Sequence, residues 1–119
     1  MVKIDGIGFG WIKVDGKKHR HDVVILPNGV VKRRKGGFLL FGSHSFKLKE
    51  FEELLMEKPD IIILGTGTNE VATLSEDAKN FLEKARVEWI ALQSQKAVEK
   101  FNELMQCGRK VAAIIHVTC

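Results

Sequence analysis

Pro59-Asp60-Ile61-Ile62-Ile63-Leu64-Gly65-Thr66-Gly67 stands at the centre of the chain. Four consecutive aliphatic residues, three of them β-branched, predict a strand covered on both faces. Pro59 stops the segment before it, and the glycines end the strand. Upstream, Leu48, Phe51, Leu54 and Leu55 fall at helical spacing. Downstream, Ala78, Phe81, Leu82 and Ala85 complete an apolar helical stripe behind Ser75, whose hydroxyl can accept the orphan amides of the first turn. Residues 87–92 predict the next strand. Ala97, Val98, Phe101, Leu104 and Met105 mark a third helix, closed by Gly108, and residues 110–117 the last strand. Strand, helix, strand, helix, strand in that order gives right-handed crossovers and a mostly parallel sheet.

The N-terminal part has a different texture. Trp11-Ile12-Lys13-Val14 runs into the turn dipeptide Asp15-Gly16, and Val23-Val24-Ile25-Leu26 into Pro27-Asn28-Gly29. Asn-Gly supplies the positive φ angles of a type I′ turn, so Val30-Val31-Lys32-Arg33 is expected as the next strand of a β-meander. Gly6-Ile7-Gly8-Phe9-Gly10 leads into a strand rather than a helix, which makes it a bend or bulge and not a phosphate loop. The fold expected is a three-layer α/β single domain over residues 1–119: a mixed, mostly parallel central sheet with helices and an N-terminal β-meander layer.

A chain of 119 residues is one domain, and its 45% hydrophobic and 29% charged content excludes disordered and low-complexity classes. The formal net charge of +4 is uneven. Residues 13–35 hold eight basic residues against two acids, whereas residues 59–119 hold seven against eight. Cys107 and Cys119 match neither a disulfide framework nor a zinc pattern, and read as free thiols of a reducing compartment. The start has no apolar signal-peptide core, and the apolar runs fall far short of the ~20 residues that cross a bilayer. A cytoplasmic protein without membrane contact is expected.

Gly65, Thr66, Gly67 and Thr68 follow the central strand, where open α/β sheets gather ligands. With His44 as the nearest acid or base, they form a candidate site for a small anion. The third glycine and immediate helix of a dinucleotide fingerprint are absent, as is a P-loop lysine. The apolar segment Phe38, Leu39, Leu40 and Phe41 is a candidate surface for an unidentified protein partner or for self-association. Lys32, Arg33 and Arg34 could join Lys13, Lys17, Lys18 and Arg20 in contacting nucleic-acid phosphates. Alternation along a strand splits that run between two faces, so a solvated edge is preferred. His19 and His21 lack a third ligand of supportive spacing, and no metal site or cofactor is expected. His116 is expected as a buried, hydrogen-bonded histidine, on the strand face opposite Cys119.

Asp5-Gly6 to Phe9-Gly10, then His21-Asp22-Val23-Val24-Ile25-Leu26-Pro27-Asn28-Gly29-Val30, the central strand with its glycines, Ala97-Val98 with Phe101-Asn102-Glu103-Leu104, and the ending His116-Val117-Thr118-Cys119 form an ordered series over nearly the whole chain. In that order and spacing the sequence resembles the small single-domain family of the adipogenesis-associated proteins and the mitochondrial complex I assembly factor 3 proteins. The resemblance implies a three-layer α/β fold with a mixed sheet and an added β layer, no established cofactor or catalytic residue, and an assembly or interaction role. Two departures fall at expected loops. Lys35-Gly36-Gly37-Phe38 stands where the family often has a tryptophan, and Ser94-Gln95 where a Pro-Thr pair often opens the third helix. A non-catalytic interaction or assembly module is therefore the expected function. A small anionic-ligand protein or weak enzyme at Gly65-Thr66-Gly67 is the alternative, and nucleic-acid binding the third reading. The mitochondrial role is not expected to transfer, since no targeting extension is evident.

Overall fold

The computed structural model describes residues 2–34, 45–69 and 72–118. Its strands are β1 (Ile4–Gly8), β2 (Trp11–Val14), β3 (Lys17–His19), β4 (Val23–Ile25), β5 (Val31–Arg33), β6 (Ser45–Phe46), β7 (Ile61–Thr66), β8 (Thr73–Leu74), β9 (Glu88–Leu92) and β10 (Val111–His116). The helices are α1 (Leu48–Met56), α2 (Glu76–Ala85) and α3 (Ser94–Gln106). A five-stranded sheet of order β5-β4-β10-β7-β9 forms the middle layer. β7 is parallel to both β10 and β9, while β4 is antiparallel to β10 and β5.

Alternation along the central strands separates two cores. Ile61 and Ile63 of β7, with Val111, Ala113 and Ile115 of β10, face α3 and the inner side of the β1–β3 sheet, represented by Ile4, Ile12 and Val14. Ile62 and Leu64, with Ala112 and Ile114, face α1 and α2 through Phe51, Leu54, Ala78 and Leu82. Period-two strands buried on both faces thus require the three layers. The short parallel pair β6–β8 closes the α1–α2 side, with Phe46 fully buried.

The meander differs from the one expected. β1, β2 and β3 make a separate three-stranded sheet, and the β4–β5 hairpin joins the central sheet instead. Half of the pairings in that sheet are consequently antiparallel. Both residues of the Asp15-Gly16 turn have positive φ, 47° and 82°, which is what a two-residue type I′ hairpin requires. The Pro27-Asn28-Gly29 connection is not type I′: only Gly29 has positive φ, and Gly29 N donates to Leu26 O while Asn28 Oδ1 accepts from Val30 N. Asn28 is therefore there for its side-chain acceptor and not for a left-handed backbone. Gly6-Ile7-Gly8, expected as part of a bend or bulge ahead of the first strand, instead lies in β1 and pairs regularly with β2; the register shift falls just upstream, between Ile4 and Gly6.

Helix limits follow local chemistry. Ser75 caps α2 as expected, its Oγ accepting from Ala78 N at 3.1 Å, with Glu76 and Asp77 in the first turn. Ser75→Ala is expected to lower stability by about 1 kcal/mol in urea denaturation, because one orphan amide loses its acceptor. An unchanged midpoint would assign that amide to solvent. The connection from β7 to α2 is not one open loop, for β8 interrupts it.

Candidate functional site

The carboxyl ends of β7 and β10 lie in register, Ile115 beside Gly65 and His116 beside Thr66. Gly65, Thr66 and Gly67 are buried there and Thr68 is exposed. A Cβ on Gly65 would stand 2.9 Å from Ser94 Oγ and 3.1 Å from Ile115 Cγ2, so only glycine fits. Gly67 has φ of 102°, a conformation that L side chains resist. The turn's amides are engaged within the fold. Gly67 N donates to Ser94 Oγ at 2.8 Å, and Thr68 N donates to Thr118 O at 3.0 Å. Ser94 Oγ in turn donates to His116 O at 2.6 Å, and Thr66 Oγ1 to Leu92 O at 3.0 Å. The glycine turn therefore joins β7, β9, β10 and the start of α3. His44, Phe38, Leu39, Leu40 and Phe41 lie outside the described residues, as does Cys119.

Beside this turn sits an ionisable cluster assembled from distant parts of the chain. Asp22 directly precedes β4, and its Oδ1 accepts from Val117 N at 2.8 Å. Its Oδ2 pairs with His116 Nδ1 at 2.8 Å and accepts from Arg34 Nη1 at 2.9 Å. Arg34 also forks onto Glu50, through Nε to Oε1 and through Nη2 to Oε2 at 3.2 Å, and its guanidinium lies over the Phe46 ring at 4.8 Å. Glu50 Oε2 accepts from Lys47 N at 2.8 Å, so the same carboxylate caps α1. Burial raises the Asp22 carboxyl, but the hydrogen bonds from His116 and the Val117 amide, together with the charges of His116 and Arg34, outweigh it. The net position is below the usual carboxylate range. Burial likewise disfavours the Arg34 cation, and Glu50 and Asp22 more than compensate. Because Asp22 is an ionised acceptor, His116 Nδ1 is the donor, which leaves Nε2 facing Thr118 Oγ1 at 3.3 Å.

His116 is fully buried and hydrogen-bonded, as expected. Arg34 stands otherwise than expected: at 5% exposure, between two carboxylates, it is not presented to a phosphate backbone. Lys32 pairs with Glu53, and Arg33 is exposed. Ser94, expected in a loop, opens α3 and is 2% exposed. The sequence signal for this cluster was a charge abutting a wholly apolar strand at Asp22 and a histidine ending another at His116. Nothing local joined the two, which are separated by 94 residues.

Carboxylate, imidazole and hydroxyl in line are the parts of a nucleophilic hydrolase. Arg34 neutralises the carboxylate, and the amides of Gly67 and Thr68, which could have steadied an oxyanion, are already bonded inside the fold. What the cluster does is tie β4, β5, β10 and α1 together at the carboxyl edge.

A family model described as protein of unknown function (DUF498/DUF598) matches residues 4–116. The chain belongs to this family. It is similar to a solved structure named MT938, 33% identical over all of both chains with a TM-score of 0.83. The conserved hypothetical protein PH1505 from Pyrococcus horikoshii OT3 is 34% identical over 98% of this chain and 99% of that one, with a TM-score of 0.84. A Bordetella pertussis protein described as a Mth938-like domain shares the fold at 18% identity over 97% of this chain and 85% of that one, with a TM-score of 0.69. These likenesses bear out the family resemblance carried by the sequence. Among the described residues of this DUF498/DUF598 chain, no helix is long and apolar enough to cross a membrane.

Proposed function

We propose that this DUF498/DUF598 chain is a non-catalytic protein-interaction or assembly module of the cytoplasm. The observation that supports the reading is the closed carboxyl edge. The groups best suited to chemistry, Asp22, His116 and the Gly67 and Thr68 amides, are bonded within the fold. Large apolar side chains meanwhile stand in solvent: Phe9 is 67% exposed and Met56 80%. Part of the partner or self-association surface is assigned to Phe38, Leu39, Leu40 and Phe41, on sequence alone.

The test compares partner capture with ligand binding. Tagged protein purified from native lysate is expected to retain a protein at near-equal amount, or a second copy of itself, and Phe41→Glu is expected to lose it. Screening phosphorylated metabolites by thermal shift is expected to give no rise. A ligand at a hundred times its dissociation constant would stabilise by about 2.7 kcal/mol, several degrees at this size. Such a rise, with no co-purifying protein, would overturn the interaction reading in favour of an anion site at Gly65–Thr68.

A further inference from the structure

Every open strand edge among the described residues carries a device against pairing with another chain, except β9. At β1, Ile4 N donates to Asn102 Oδ1 at 3.0 Å and Ile4 O accepts from Asn102 Nδ2 at 2.8 Å, and the register with β2 shifts between Ile4 and Gly6. β3 is three residues long and begins Lys17-Lys18, and β5, also three residues long, carries Lys32 and Arg33. β6 and β8 are two residues each. Charged side chains, bulges and short length are the means by which sheet edges are kept from pairing. β9, Glu88-Trp89-Ile90-Ala91-Leu92, is five residues long, pairs with β7 at each position without a shift, and holds no Lys, Arg or Pro. It forms one end of the central sheet.

The outward backbone of β9 is open. Leu92 O accepts from Thr66 Oγ1 and Ser94 N donates to Gly67 O, so both residues turn toward β7. Successive residues of a strand aim their backbone groups to opposite sides, which directs the N–H and C=O of Trp89 and Ala91 away from β7. Among the described residues no turn, cap or side chain meets these four groups. Side chains alternate between the faces in the same way. Trp89 packs against the α1–α2 core and Ile90 and Leu92 against the α3 core, each half-buried, while Ala91 is exposed.

We propose that β9 pairs antiparallel with β9 of a second copy about a two-fold axis at Ile90, so that the two central sheets continue as one. The inference deepens the interaction reading above and rests on it, naming a second copy as the occupant of this edge. Only an extended backbone can meet such a row of donors and acceptors, and β9 is its own complement in three respects. In hydrogen bonding, Trp89 and Ala91 of one copy lie opposite Ala91 and Trp89 of the other, and each facing pair exchanges both of its N–H···O bonds. In size, the large indole meets a small exposed methyl group, and Ile90 meets Ile90 across the axis. In charge, Glu88, the only ionisable side chain of the strand, falls opposite Leu92. The two Glu88 residues then stand about 14 Å apart along the strands, beyond the Debye length at ordinary salt. The middle of β9 offers no charge by which an acidic or basic foreign strand would be selected.

Sedimentation equilibrium of the full chain tests the pairing. Monomer is expected to pass to dimer with a dissociation constant on the order of 10 µM. Ala91→Pro removes the outward amide and spares the β7 ladder, since proline is tolerated where an edge N–H faces away from its sheet. Each copy loses one bond, so the dimer is expected to weaken about tenfold or more. Circular dichroism checks the fold of the variant. Amide exchange of the wild type needs no variant and decides the matter should Ala91→Pro not fold. Exchange at Trp89 and Ala91 is expected to slow as protein concentration rises through the dissociation constant. Arg33 N, turned outward on β5 because Arg34 N donates to Asp22 O of β4's side, is expected to exchange at a constant rate. A chain that stays monomeric, a dimer unchanged by Ala91→Pro, or exchange at Trp89 and Ala91 independent of concentration overturns the proposal. So does a co-purifying protein that slows those two amides on a monomeric chain, which gives the edge to a foreign strand. A monomer that still retains a protein from native lysate leaves the interaction reading standing. A dimer lost in Phe41→Glu and kept in Ala91→Pro overturns the β9 pairing alone and moves self-association to residues 38–41.

Discussion

Arg34→Met is expected to destabilise the protein by about 3–5 kcal/mol at neutral pH. The guanidinium is 5% exposed and serves Asp22 on one side and Glu50 on the other. Its removal takes from two largely buried carboxylates the one cation that pairs with both, leaving Asp22 with His116 alone, and this loss of compensation sets the size of the effect. Methionine retains much of the aliphatic volume over the Phe46 ring, so the cavity contribution stays small.

The same substitution has a signed pH dependence. Asp22 is held below its ordinary value in the folded state, so between its folded and unfolded values the native state binds fewer protons. Its contribution to stability is therefore complete above the unfolded value of about 3.9 and is lost as pH falls through the folded one. Wild-type stability from this group should be flat from pH 7 to about 5 and decline below. Protonated Asp22 no longer needs Arg34, so the wild-type-minus-variant difference should shrink toward pH 3. Urea titrations at several pH values measure it. A difference constant from pH 7 to pH 3 would mean that packing, not charge, is what Arg34 contributes.

Ser94→Ala should cost about 2–4 kcal/mol, although it removes only one oxygen atom. Ser94 is 2% exposed, and its hydroxyl accepts from Gly67 N while donating to His116 O. Alanine leaves a buried amide and a buried carbonyl without this partner, at about 1–3 kcal/mol for each unsatisfied group. Two measurements check this: the denaturation midpoint, and amide exchange at Gly67, which should accelerate more than exchange in α2. Ser94→Thr keeps the hydroxyl and separates the hydrogen bonds from packing. A loss under about 0.5 kcal/mol in Ser94→Ala would show that water replaces the hydroxyl.

Much of this architecture was legible because burial on two faces writes itself into local sequence. The runs at Ile61–Thr66 and Val111–His116 could only be strands between two layers, and the stripe behind Ser75 could only be an amphipathic helix. Ser75, Asp15-Gly16 and Gly108 are likewise local, since caps and tight turns are satisfied within a few residues. Strand partnership was different. Val23–Ile25 and Trp11–Val14 both read as meander strands, yet one pairs with β10 and the other with β1. A strand's own residues specify its faces and not its neighbour, which is chosen by which edge the rest of the chain leaves open.

The candidate site shows the same division. The sequence by itself determined that His116 is buried, that Gly65 and Gly67 close the central strand, and that the basic excess lies in the N-terminal part. Only the tertiary structure decided that Arg34 leaves that basic run for the interior, because Asp22 and Glu50 arrive there from β4 and α1. It alone brought Ser94 beneath the glycine turn and laid Trp11 along Gly6 and Gly8. These are contacts between side chains or backbones that meet only when the layers close, and their energies depend on desolvation and distance. Neither quantity is a property of any short stretch of residues.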